Sequence, residues 1–149
     1  LGLDLLAGAL ADKGVPFHVL DLAFSRAPIK DIENAVGRLD PLAAAFTVRN
    51  IDDCYYASQS FLLPPLRSYI KAVKSRSDAP AVIGGVGFSI APRAALDYLR
   101  ADIGVRGDGE DVLPRLARRI ARGRDYDDLP GVVLPSNKAP GRPEPCSGG

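Results

Sequence analysis

The run APAVIGGVGFSIAPRAALDYLRADIGVRGDGE, residues 79–110, decides how the rest of the chain is read. Twice within it a short apolar segment breaks abruptly into glycines: residues 81–83 into Gly84-Gly85, and residues 103–105 into Arg106-Gly107-Asp108-Gly109-Glu110. Such breaks are expected where a buried strand ends and the backbone must turn tightly beside something bulky. Between the two breaks, residues 91–100 (APRAALDYLR) read as a short helix with Pro92 near its start, where the missing N–H does least harm.

The same alternation continues outward. Residues 42–48 (LAAAFTV) form an apolar run of strand length, and its all-apolar character predicts a strand covered on both faces. A polar loop, residues 49–60, leads to a helix over 61–75 with Pro64 and Pro65 near its first turn. Upstream, residues 1–13 place Leu3, Leu6 and Leu10 on one helical face, and Gly14 suits the helix terminus. Residues 16–22 (PFHVLDL) read as a strand, residues 28–38 as a helix carrying Ile29, Ile32 and Val36, and Asp40-Pro41 as a turn. Downstream, residues 111–122 form an amphipathic helix with Val112, Leu116 and Ile120 inward, followed by a turn and a short extended piece over 127–134.

Strict alternation of helix and strand implies right-handed crossovers and a parallel sheet with helices on both faces, an α/β fold. Sheets of this kind normally begin with a strand, whereas this chain opens on a helix and contains no Met. The expectation is therefore an α/β domain over 1–134, truncated at its first strand, followed by a linker or disordered tail over 135–149, which holds four of the 13 prolines.

At 149 residues, 46% apolar and 25% charged, the chain is long enough for one domain with a real core. A net charge of +1 gives no electrostatic case for nucleic acid or an anionic membrane as partner. No apolar run approaches the ~20 residues of a membrane span. The apolar opening lacks a basic leader and carries Asp4, so a cytoplasmic setting is expected. Cys54 and Cys146 form neither a disulfide framework nor a metal knuckle.

The nucleotide fingerprints fail. A GxGxxG pattern from Gly85 meets Ile90 where glycine or alanine is needed, and no GxxxxGK[ST] occurs. His18 lies within a strand pattern without ligand partners and is expected to be a partly buried structural residue. Ser25, Ser58, Ser60 and Ser89 sit in no nucleophile elbow, and Cys54 reads as a loop cysteine beside a packed aromatic pair, Tyr55-Tyr56. Arg115, Arg118, Arg119, Arg122 and Arg124 fall opposite Leu116 and Ile120, between acidic flanks, as a solvated helix face. No catalytic and no metal-ligating residue is thereby assigned.

What remains is a constellation of strand ends. It comprises Thr47, Val48, Arg49 and Asn50; Gly84, Gly85, Val86, Gly87, Phe88 and Ser89; and Arg106, Gly107, Asp108, Gly109 and Glu110. Any one of these glycines is explained by strand capping. Two neighbouring strands that both end in glycine leave a groove floor without side chains, which admits a large flat or elongated ligand. In parallel sheets ligands bind outside the carboxyl ends of the strands.

The 79–123 region, with its GG…RGxGE spacing, resembles the second half of the cobalamin-binding domain that precedes the catalytic barrel in B12-dependent radical S-adenosylmethionine enzymes. The opening LGLDLLAGALADKGVPFHVLDL is similar to that domain's first helix and second strand, and DDLPGVV to the segment leading to the radical domain. The resemblance implies a flavodoxin-like (Rossmann-like) three-layer sandwich that binds cobalamin. It implies that the nucleotide tail passes Thr47 and Gly84-Gly85, with Gly107 and Gly109 in the following glycine loop. Val86, Gly87, Phe88 and Ser89 would border the corrin or its tail, and Arg49 and Asn50 would reach its amide side chains. The DxHxxG motif that supplies a lower histidine ligand is absent, and His18 cannot replace it. The CxxxCxxC that holds a [4Fe-4S] cluster is also absent, so the cluster and S-adenosylmethionine belong to a radical domain outside this chain. The implied role is to present cobalamin to that domain for methyl transfer to, or rearrangement of, an unactivated carbon. Two other classes stay open: a cofactor-free docking or substrate-gating module, and a flavodoxin-like binder of flavin or nucleotide.

Overall fold

The computed structural model describes residues 2–53, 55–58 and 60–137. In chain order the elements are α1 (Gly2–Asp12), α2 (Pro28–Leu39), β1 (Ala44–Thr47), α3 (Leu63–Lys74), β2 (Ala81–Gly84), α4 (Val86–Ile90), α5 (Pro92–Leu99), β3 (Ile103–Val105), α6 (Gly109–Ala121) and β4 (Val132–Val133). The strands form one sheet in the order β1-β2-β3-β4. β1, β2 and β3 run parallel, with Ala44 opposite Ala81 and Val82 opposite Ile103, while β4 returns antiparallel to β3.

Alternation along the strands sends side chains to two different helical layers. Ala44, Phe46, Ala81 and Ile83 face α2, α3 and α5, where they meet Ile32 and Val36, Ile70 and Val73, and Leu96 and Leu99. Val82, Ile103 and Val105 face the opposite way, onto Val112 and Leu116 of α6. Ile83, Leu96, Leu99, Ile103 and Leu116 are fully buried, each contributing about 1.5–3 kcal/mol by area removed from water. At the amino end of the sheet, the Asp102 carboxylate accepts the Ala81 N–H at 2.8 Å and the Lys74 ammonium at 3.0 Å. That bond satisfies the first donor of β2 and ties β2 to the start of β3.

α1 packs on α6 and not over β1. Leu6 lies against Gly109, and the Arg118 guanidinium donates to the Lys13 carbonyl. The apolar face of α1 is accordingly only partly covered, with Leu6 and Leu10 half-buried and Leu3 47% exposed.

Several expectations are corrected. Residues 16–22 form no strand, and Phe17, Val19 and Leu20 are exposed. A strand exists only through the ladder it makes with a neighbour, and no described strand lies beside this segment. His18 is exposed, not partly buried. β1 is not covered on both faces: Ala45 and Thr47 are exposed because no helix lies over them. The all-parallel sheet gains an antiparallel edge in β4. The glycine segment after β2 forms a one-turn helix, α4, and α6 begins at Gly109 inside the expected glycine loop. Within the stretch read as linker or tail, Ser136 is bonded: its N–H and hydroxyl donate to the Asp97 carboxylate of α5 at 3.0 and 2.6 Å. Cys54 and residues 138–149 lie outside the described residues.

Candidate binding site at the carboxyl ends of the strands

The site is shaped first by main chain. The Val48 N–H donates to the Gly84 carbonyl at 2.8 Å, extending the β1–β2 ladder one residue beyond the strand, and the Gly87 N–H donates to the Val48 carbonyl at 2.9 Å. The chain leaving β1 therefore lies backbone to backbone against the first turn of α4. Gly85 has φ +104°, and a Cβ there would stand 2.6 Å from the Val48 carbonyl oxygen. A Cβ at Gly87 would stand 2.9 Å from the Arg49 carbonyl oxygen. Only glycine meets both demands. The main chain of residues 48–50 therefore lies directly over the Gly85 and Gly87 positions, beside the ends of β1 and β2.

The turns after β2 and β3 are tied together by one side chain. The Ser89 hydroxyl donates to the Gly85 carbonyl at 3.0 Å and accepts the Gly107 N–H at 3.1 Å. Ser89 is thus a latch between the two glycine turns. Phe88 is fully buried and packs over Gly104, where β3 makes room by lacking a side chain, so it supports the site from behind and does not border it. Gly87 is buried too. Of residues 86–89 only Val86 projects to solvent, 77% exposed, with Ile90 one turn later at 74%.

Two accessible surfaces remain. One is the outer part of the sheet on the α6 side, where Ala45 and Thr47 are exposed beside the half-exposed Gly84. Register places Thr47 opposite Gly84 on this face, so the floor is made of small groups only. The other is an open cavity of about 340 Å³ lined by Thr47, Val48, Arg49 and Asn50 on one side and by Leu62 and Tyr69 on the other. Thr47 borders both. Leu62 and Tyr69 were not candidates from the sequence; the signal was their place at and after the amino terminus of α3, which parallel topology brings back to the ends of the strands.

The third group is more dispersed. Arg106, Gly107 and Asp108 are exposed, Gly107 has φ +82° with open space around it, and Gly109 and Glu110 form the first turn of α6. The Asp108 side chain makes no capping bond to that helix. Among the described residues no cluster of three His, Cys, Asp or Glu side chains could hold a metal ion, and no helix is long and apolar enough to cross a membrane.

The geometry is that of a sheet end with an uncovered small-residue floor and a neighbouring apolar platform. A family model for the B12 binding domain matches residues 1–117. The chain belongs to the B12-binding domain family. Among curated proteins, this B12-binding domain is 38% identical over 145 residues to tryptophan 2-C-methyltransferase of Streptomyces laurentii, covering 93% of the chain and 23% of that protein. It is 28% identical over 143 residues to hopanoid C-3 methylase of Methylococcus capsulatus, covering 94% of the chain and 26% of that protein. Among solved structures it matches the radical S-adenosylmethionine methyltransferase TsrM of Kitasatospora setae at 36% identity and TM-score 0.85, over 89% of the chain and 25% of TsrM. A second TsrM structure, with cobalamin and a [4Fe-4S] cluster bound, matches equally well, at TM-score 0.85. The domain spans about a quarter of the length of these relatives. The fold is flavodoxin-like, as the resemblance implied.

Proposed function

We propose that this domain binds cobalamin at the carboxyl ends of β1, β2 and β3 and presents it to a radical S-adenosylmethionine domain of the same polypeptide. The observation that carries the reading is the floor of exposed Ala45 and Thr47 and half-exposed Gly84, in a sheet whose β2 and β3 side chains are otherwise buried. An elongated nucleotide tail fits a floor of small groups, where backbone and tail approach closely. Thr47 offers a hydroxyl to a polar group of the tail. Arg49 and Asn50 are exposed at the rim, within reach of amide side chains. Val86 and Ile90 present aliphatic surface suited to one face of a flat macrocycle.

Gly85, Gly87, Phe88 and Ser89 act behind this surface, and Gly107, Asp108, Gly109 and Glu110 bound it on the β3 side. When bound, cobalamin supplies a cobalt-carried methyl group, and the protein's part is to position and shield it. The cluster and S-adenosylmethionine are held by the radical domain, since this chain carries no CxxxCxxC. The activity of the whole enzyme is methyl transfer to an unactivated carbon. The domain proper is residues 1–134, with its exit fastened through Ser136.

Incubation with hydroxocobalamin, desalting and a visible spectrum test the reading. Retained corrin absorbance is expected. A colourless protein overturns the proposal in favour of a cofactor-free docking module, and retained flavin absorbance after incubation with flavin mononucleotide instead points to a flavin binder.

A further inference from the structure

Between β1 and α3 the chain builds a hairpin that the core does not require. Its neck is an antiparallel bridge between Asp52 and Phe61, flanked by the Leu62 N–H donating to the Ile51 carbonyl at 2.8 Å and the Asp53 N–H donating to the Ser60 carbonyl at 3.1 Å. The Asp53 carboxylate gathers the turn, accepting the Tyr55 N–H at 3.2 Å, the Ser60 N–H at 3.1 Å and the Ser58 hydroxyl. These bonds, that from Ser58 foremost, hold the Asp53 carboxyl below its ordinary value. The turn is thus shaped by a polar hub and main chain.

Two adjacent tyrosines stand on this turn, Tyr55 at 66% and Tyr56 at 92% exposure, not packed together as the sequence suggested. Large aromatic side chains left in water on a shaped turn are the composition of a binding surface, because they supply broad contact at low entropic cost. Their place is specific. The neck ends in Leu62, which lines the cavity opposite Arg49 and Asn50. On the other side of residues 49 and 50 lies α4, with exposed Val86 and Ile90.

We infer that Tyr55 and Tyr56 are binding residues for the corrin macrocycle, adding aromatic contact on the rim of the site. The inference rests on the cobalamin reading and assigns that site a further pair of side chains.

The chain contains five Tyr and no Trp, so its ultraviolet emission comes from tyrosine. Titration with hydroxocobalamin should quench this emission in the wild type, and a Tyr55→Ala/Tyr56→Ala double variant should lose part of that quenching. The variant should release cobalamin on desalting about tenfold faster, with an unchanged circular dichroism spectrum and thermal midpoint, while Tyr55→Phe/Tyr56→Phe restores slow release. Release from the alanine variant at the wild-type rate overturns the inference and leaves the cobalamin reading intact. Failure of the phenylalanine pair to restore it also overturns the aromatic assignment. A wild type that retains no cobalamin overturns both.

Discussion

At the residue scale, Gly85 shows how a sequence signal and its cause can part. The glycine pair after β2 was legible as a place where a ligand comes close. The tertiary structure gives Gly85 a reason of its own: the Val48 carbonyl lies 2.6 Å from where a Cβ would be, at φ +104°. Gly85→Ala combines a positive-φ backbone penalty of roughly 1–3 kcal/mol with a main-chain clash that no rotamer relieves. The expected outcome is a loss of about 2 kcal/mol or more in urea unfolding, with cobalamin retention lost in parallel. Unaltered stability would mean that residues 48–50 do not press on α4. Phe88 makes the same point in reverse. An apolar residue between glycines reads as ligand-facing or core-facing equally well, and only the absence of a side chain at Gly104 across the sheet decides for the core.

At the element scale, β4 and the residues that follow it form a strap that crosses the β3 edge and fastens to α5. Asp97 is held below the ordinary aspartate value of 3.8 first by the Ser136 hydroxyl and next by the Ser136 N–H. A carboxyl with a depressed folded value contributes stability that is present above its unfolded value and is lost as pH falls through the folded one. The strap should therefore stay docked at neutral pH and release only below pH 3.8. Following the Asp97 carboxyl carbon shift and Ser136 amide exchange across acid pH checks this, and Ser136→Ala should return the Asp97 titration towards the ordinary value. Most element positions were readable from periodicity and punctuation: α2, α3, α5 and α6 fall where apolar spacing, Pro and Gly placed them. The segment 16–22 was misread because its residue types suit a strand, while strand formation depends on a partner that residue types do not specify.

At the scale of the whole molecule, the two helical layers are unequal. α2, α3 and α5 cover their face of the sheet, whereas on the other face α6 packs over β2 and β3 and leaves β1 bare. That asymmetry creates the proposed site and leaves Ala45 and Thr47 in solvent; separately, among the described residues β1 is an end strand with no strand paired on its outer side. Open apolar edges pair with other chains unless a charge blocks them. Analytical ultracentrifugation of the chain alone should show association that rises with concentration, and Ala45→Lys should suppress it; equal association in both proteins would place the contact elsewhere. The amino-acid sequence by itself determined the α/β class, the parallel crossovers and the strand ends proposed as the binding site, because apolar periodicity and glycine breaks are local properties of the chain. Only the tertiary structure decided which candidates face solvent. Gly85, Gly87, Phe88 and Ser89 became support, while Ala45, Thr47, Val86, Ile90 and the tyrosine hairpin became surface, because exposure depends on what distant segments pack against each position.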